Sequence, residues 1–235
     1  MLRIIHFKND IRQILRDSVM LALMMAPLLV IIVFKLMLVF LVPVVETKTT
    51  LDISLWIPWI VAFVLLLNSG MLGVVTGFMM LDDKDGNIAE LMSVTPLGRS
   101  GYLLNRLSLV SAMSVFYTVL AYFALGIVRL PPGTVFLLAV LLAVYSATIG
   151  LVLFSGAENK VKGLTFSKAL NVFILFAFAD LFPLKWFTVA AWFFPPYWIS
   201  RLIREELSLY VAVITVIVHL AWLVSFLIYY IRKTE

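Results

Sequence analysis

Six stretches of this chain are apolar over close to 20 residues or longer, and that repetition decides most of what it can fold into. They lie at about residues 19–45, 55–80, 101–128, 134–154, 164–182 and 207–231. At 1.5 Å per residue such a run matches the hydrocarbon thickness of a bilayer. Composition agrees: 63% hydrophobic and 13% charged residues lie far outside the soluble range of roughly half and a quarter. The expected fold is all-α, one polytopic membrane domain over residues 1–235 with no room for a second, soluble domain.

Several chemistries are excluded at once. With no cysteine there is no disulfide, thiolate zinc site or iron–sulfur cluster. His6 and His219 stand at opposite ends of the chain without a second ligand in local spacing, so no metal site is expected. No glycine pattern of the phosphate-loop type, ending in Gly-Lys-Ser/Thr, occurs, so the chain itself is not expected to be an ATPase or to carry a cofactor. The net charge of +5 suits loops facing an anionic lipid leaflet better than a nucleic-acid partner.

Before the first long run, residues 4–17 read as an amphipathic interfacial helix. Ile4, Phe7, Ile11 and Ile14 recur at helical spacing, opposite Lys8, Arg12 and Arg16. Lys35, near the outer end of the first span, is placed to snorkel to the headgroups. Trp56 and Trp59 open the second span as an interfacial aromatic pair, and Gly73 and Gly77 further along have the small-xxx-small spacing of close helix packing. Arg129-Leu-Pro-Pro-Gly133 predicts a tight hairpin between the third and fourth spans, with the prolines ending one helix and glycine freeing the backbone. Between the last two spans, Trp186–Ile199 is too short to cross and is interrupted at Phe194-Pro195-Pro196, so a re-entrant or interfacial hairpin is expected over residues 184–205.

With six spans and both termini on one side, that side collects most of the 18 Lys+Arg: Arg3, Lys8, Arg12, Arg16, Lys84, Arg99, Arg106, Lys160, Lys162, Lys168, Arg232 and Lys233. The opposite side has Lys48, Arg129, Lys185, Arg201 and Arg204. By the positive-inside rule both termini are cytoplasmic in a cell membrane.

The longest polar interruption, Leu81–Arg106, has a specific grammar. Asp82, Asp83 and Asp85 lead into a Gly86–Asn87 turn; a short helical run, Ile88–Val94, carries Glu90, Leu91 and Met92; Thr95-Pro96 stops it, and Arg99 lies in the turn that follows. By its residues alone this is either a rigid helical knob or an ordinary solvated loop. Its pattern resembles the coupling-helix loop of ABC-2-type export permeases, in Gly86, Glu90-Leu91-Met92, Thr95-Pro96-Leu97 and Arg99. Asn159, Lys160, Val161, Gly163 and Lys168 resemble that family's second cytoplasmic loop, although the Asp-Asp-Lys-Asp lead here departs from its usual Glu-rich form. The resemblance covers nearly the whole chain. It implies a permease subunit of an ATP-driven exporter that lines the pathway with a second permease copy, like or unlike. A separate cytosolic ATPase, which holds the ATP and magnesium, would grip the loop at Gly86, Ile88, Glu90, Leu91, Met92, Thr95, Pro96, Arg99, Asn159 and Lys160.

An external gate is expected at Asp180, Pro183, Lys185, Pro195, Pro196 and Arg201. Asp180 would pin the hairpin through Lys185 or Arg201; a water-exposed aspartate at a helix end is the alternative. The competing functions are an ion-coupled secondary transporter relaying through Asp180 and Lys185, and an intramembrane enzyme, which would need clustered carboxylates or histidines on facing spans. Nothing in the sequence singles out a cargo.

Overall fold

The computed structural model describes residues 4–49, 52–88, 98–205 and 208–234, with backbone alone at 4–9, 99–100 and 233–234. Every regular element among them is helical. In chain order these are α1 (Ile4–Arg16), α2 (Ser18–Lys48), α3 (Ile53–Asp85), α4 (Gly98–Leu125), α5 (Pro132–Gly156), α6 (Lys160–Leu181), α7 (Lys185–Ala191), α8 (Pro195–Arg204) and α9 (Leu209–Thr234). Six of them, α2 to α6 and α9, are long and apolar enough to cross a membrane.

The bundle is organised on α3 and α5. Their apolar windows are 78% and 67% buried, against 6% for α2 and 17% for α9. Glycine is the cause. A Cβ on Gly73 would fall 2.5 Å from the carbonyl oxygen of Ser146, and one on Gly77 would fall 2.6 Å from the Leu153 side chain. The two backbones therefore touch, as the Gly73–Gly77 spacing predicts. In lipid, where burying an alkyl chain gains little, close contact and hydrogen bonds must hold helices together. Ser69 on α3 and Ser114 on α4 supply the latter. Their hydroxyls lie 3.0 Å apart and reach the Leu142 carbonyl of α5 at 2.5 and 3.1 Å.

The turn between α4 and α5 differs from its sequence reading. α4 stops at Leu125 because Gly126 takes a left-handed conformation, φ +64°. Pro131 and Pro132 do not end that helix; they start the next, where a missing N–H costs nothing. Lys35 is not extended toward headgroups either. Its ammonium donates to the Leu125 carbonyl at 2.9 Å, a cation at the negative end of α4. Trp59, expected at the lipid interface, is buried, whereas Trp56 is exposed.

Two of the long helices leave α geometry. α2 contains a π-helical segment at Met37–Leu41, and the last 11 residues of α6, Asn171–Leu181, form a 3-10 helix.

Candidate functional site: ionic clamps at the two ends of the bundle

At one end, α3 runs into its acidic cluster and α4 begins at Gly98. Asp82, Asp83 and Asp85 are not loop residues: they form the last turn of α3, and Asp83 has no solvent exposure at all. After Gly86, Asn87 takes the left-handed conformation, φ 55°, which asparagine tolerates better than most residues, and Ile88 is exposed. Glu90, Leu91, Met92, Thr95 and Pro96 lie outside the described residues, as does the side chain of Arg99 in the first turn of α4.

Between α1, the end of α3 and the first turns of α4 sits a buried ionic knot. Arg106, two turns into α4, donates to both oxygens of Asp83, from Nε at 2.6 Å and from Nη2 at 2.8 Å. Its remaining nitrogen meets Asp10 of α1. Tyr102, one turn before Arg106, donates its hydroxyl to Asp83 at 2.8 Å, and Asn105 donates to Asp10 at 2.9 Å. Arginine suits this place because its planar fork satisfies a carboxylate with two parallel bonds and still has donors for a second. Two carboxylates around one guanidinium in a dry site are tolerable only because these bonds are all made. The result is a rigid joint between α1, α3 and α4.

A second knot joins α6 to the same end. Asn159 caps α6, accepting from the Lys162 N–H at 3.0 Å, so the Asn-Lys-Val string is a helix start and not a free loop. Lys160 turns inward to Asp17 and to Asp82, the latter at 3.0 Å. Asp17 does two jobs: one oxygen caps α2 through the Val19 and Met20 N–H groups, both at 2.9 Å, and the other meets Lys160. Burial alone would raise its pKa, but the Lys160 and backbone hydrogen bonds outweigh that and hold it below the usual aspartate value. The Lys160 N–H points to Asp85 at 3.4 Å, and Lys84 donates to the Glu158 carbonyl at 3.2 Å. The starts of α2 and α6 and the end of α3 are thus tied in one patch.

At the other end, α7 and α8 lie on either side of the turn at Trp192–Phe194 as a helical hairpin. Pro195 and Pro196 are the first residues of α8, where they preset the helical φ, and both are buried. Pro183 and Lys185 are exposed. The cation of Asp180 is neither Lys185 nor Arg201. Arg204, one turn beyond Arg201, reaches Asp180 at 2.5 Å, while Arg201 is taken by Glu205 on its own helix at 2.6 Å. Arg204 also places its guanidinium carbon over the Trp59 ring of α3, 3.7 Å from its centroid. Tyr197 donates to Asp180 at 3.2 Å and accepts from the Trp192 indole at 3.2 Å. Burial, and then the neighbouring Asp180 charge, raise the Tyr197 pKa, so its hydroxyl keeps its proton and remains a donor. Trp222 of α9 donates to the Phe193 carbonyl at 2.7 Å and holds the hairpin turn from the far side.

The sequence model of a family described as "Fluoroquinolones export permease protein Rv2686c-like" matches residues 10–229. This chain belongs to that family of export permeases. The permease is 30% identical over 203 residues to the fluoroquinolones export permease protein Rv2686c of Mycobacterium tuberculosis strain ATCC 25618 / H37Rv. It matches the fluoroquinolones export permease protein MT2760 of strain CDC 1551 / Oshkosh equally, with 83% of this chain and 78% of the relative covered. No solved structure matches it. Membership agrees with the resemblance to ABC-2-type export permeases drawn from the Glu90–Arg99 and Asn159–Lys168 strings.

Reading the permease sequence for sites passed over Asp10, Asp17, Tyr102, Asn105, Arg106, Tyr197 and Arg204. A signal was there for the first knot: Tyr102, Asn105 and Arg106 fall at i, i+3 and i+4 and so share one helical face. Nothing local connects that face to Asp10, 95 and 96 residues away.

Proposed function

We propose that this permease is the membrane half of an ATP-driven exporter, forming the pathway with a second permease copy and taking its work from a separate cytosolic ATPase through residues 86–99. The observation that carries the reading is the double ionic clamp where α3 ends and α4 and α6 begin. Arg106 and Lys160 join α1, α2, α3, α4 and α6 at one end of the bundle. A push delivered to helix ends so clamped is passed to several spans together instead of being absorbed by bending. The clamped end is cytoplasmic on this reading, in keeping with its Lys and Arg excess, and both termini share that side.

The relatives' names make a fluoroquinolone the first cargo to test. A planar aromatic drug suits a chain whose α6, hairpin and α9 present stacked rings: Phe176 and Phe194 are 3.9 Å apart and parallel within 5°, with Trp222 beside Phe194. The ion-relay alternative loses its main support, because Asp180 is paired with Arg204 and not with Lys185.

The test is purification of the tagged permease from its own membranes. An ATPase subunit should come with it, and the reconstituted complex should hydrolyse ATP faster when a fluoroquinolone is added. A permease that purifies alone and moves the drug on an ion gradient without ATP overturns the reading.

A further inference from the structure

The 3-10 segment Asn171–Leu181 of α6 is unexplained by its own sequence. Runs of 3-10 helix beyond three or four residues are uncommon, because the hydrogen bonds are less well aligned than in an α-helix. Here the run is 11 residues long, Asn-Val-Phe-Ile-Leu-Phe-Ala-Phe-Ala-Asp-Leu, with no glycine or proline to impose it. What imposes it is tertiary, and the contacts show the register. Phe173 and Phe176 lie in one column with ring centroids 6.2 Å apart, close to the rise of about 6 Å for three residues at 2.0 Å each. Both face the same ring of the hairpin, Phe194, at 5.3 and 3.9 Å. Ile174 and Ala177 form a neighbouring buried column that ends, three residues on, at Asp180 and its bonds to Arg204 and Tyr197.

An α-helix cannot make these contacts. From Asn171 to Asp180 is three full turns of 3-10 helix but only about two and a half of α-helix, so Asp180 would swing roughly half a turn away from Arg204. At about 0.5 Å less rise per residue, the segment would also shorten by about 5 Å. The far end of α6 is meanwhile anchored through Lys160 to Asp17 and Asp82. One helix therefore spans from the Lys160 clamp to the Asp180–Arg204 pair beside the hairpin.

We propose that Asn171–Leu181 is a spring, held in the longer 3-10 form while the Asp180–Arg204 latch is closed and contracting to an α-helix when the latch opens. The contraction draws the Phe182–Pro183 corner, and the hairpin attached to it, by about one helical turn along α6. Its use as an exit gate rests on the proposed function; the contraction itself does not.

The experiment uses the cysteine-free chain, full length in lipid nanodiscs, with a cysteine pair at Lys168 and Leu181, both exposed. Spin labels there report the length of the segment by pulsed electron resonance, without ATP or any partner. The otherwise unaltered chain should give one distance. Asp180→Asn and, as an independent second variant, Arg204→Gln should each add a population shorter by about 5 Å. An unchanged or longer distance in both latch variants overturns the spring, whatever their export activity. A shorter population with normal ATP-driven export leaves the spring standing and removes its role as gate.

Discussion

Arg106 donates two parallel hydrogen bonds to Asp83 across the connection that separates α3 from α4. The pair closes the base of the loop in the way a rivet closes a hinge, and Asp10 on α1 completes it from the other side. Removing the cation leaves two buried carboxylates without the Arg106 charge, still holding the Tyr102 and Asn105 hydrogen bonds. Breaking such a pair from one side costs about 3–5 kcal/mol. Arg106→Met should therefore lower the apparent melting temperature of the purified permease sharply, and Arg106→Lys less, since lysine keeps the charge but not the fork. Arg106→Met combined with Asp83→Leu should recover part of the loss. Equal melting temperatures for Arg106→Met and the unaltered chain would show that the knot contributes nothing.

Glu90 lies in the sequence that connects α3 to α4. On the proposed coupling role, Glu90→Lys should insert and melt normally while losing drug-stimulated ATP hydrolysis in the reconstituted complex. One charge-assisted contact is worth about 1.5–3 kcal/mol, and reversing the sign adds repulsion, so a tenfold loss or more is expected. Full stimulation in the variant would remove the loop from the coupling path.

The orientation follows from impermeant thiol labelling, for which the cysteine-free sequence is a clean background. Ser167 is buried and unsuitable, whereas Lys162, Thr49 and Ser208 are exposed. Cysteine at Lys162 should react only from the cytosolic side, and cysteine at Thr49 or Ser208 only from outside. Labelling of Ser208→Cys from the cytosol would contradict six spans with both ends inside.

Asp17 gives a pH signature with a definite sign. Its folded-state pKa is lowered below the ordinary 3.8, so the Lys160 bond stabilises above that value and is lost as pH falls through the folded pKa. Asp17→Asn keeps the helix cap and removes only the charge, because asparagine caps as well as aspartate. The melting-temperature gap between the two proteins should stay constant from pH 8 to about pH 5 and close only below about pH 4. A gap that closes near neutrality would assign it to another group.

Gly73 tests the central contact. A Cβ there meets a backbone carbonyl at 2.5 Å, which cannot rotate away, so Gly73→Ala should cost about 1–3 kcal/mol and Gly73→Leu should abolish the folded state. Gly133, with nothing within 4 Å, is the control, and Gly133→Ala should melt normally.

What the sequence by itself determined was what depends on neighbours along the chain. Six apolar runs of bilayer length require six spans whatever their arrangement, and Gly73–Gly77 marks a face for close approach because the spacing alone puts both on one side of a helix. The Phe194-Pro195-Pro196 break is likewise local, and it marks where α8 begins. Partnerships across space were left to the tertiary structure. Lys185, across the proline turn, and Arg201, on the return arm of the hairpin, were the expected cations for Asp180, yet the turn of α8 aims Arg201 at Glu205 and brings Arg204 over Trp59 instead. Asp83 looked like a solvated loop acid until α3 continued one turn further and Arg106 and Tyr102 enclosed it. The 3-10 register of α6 is the plainest case: no residue within it prefers that geometry, and only the rings and the arginine of the hairpin at its end make it the better fit. A charge in a low-dielectric interior is worth what its partner makes it, and partners tens of residues away are chosen by packing, which no local pattern records.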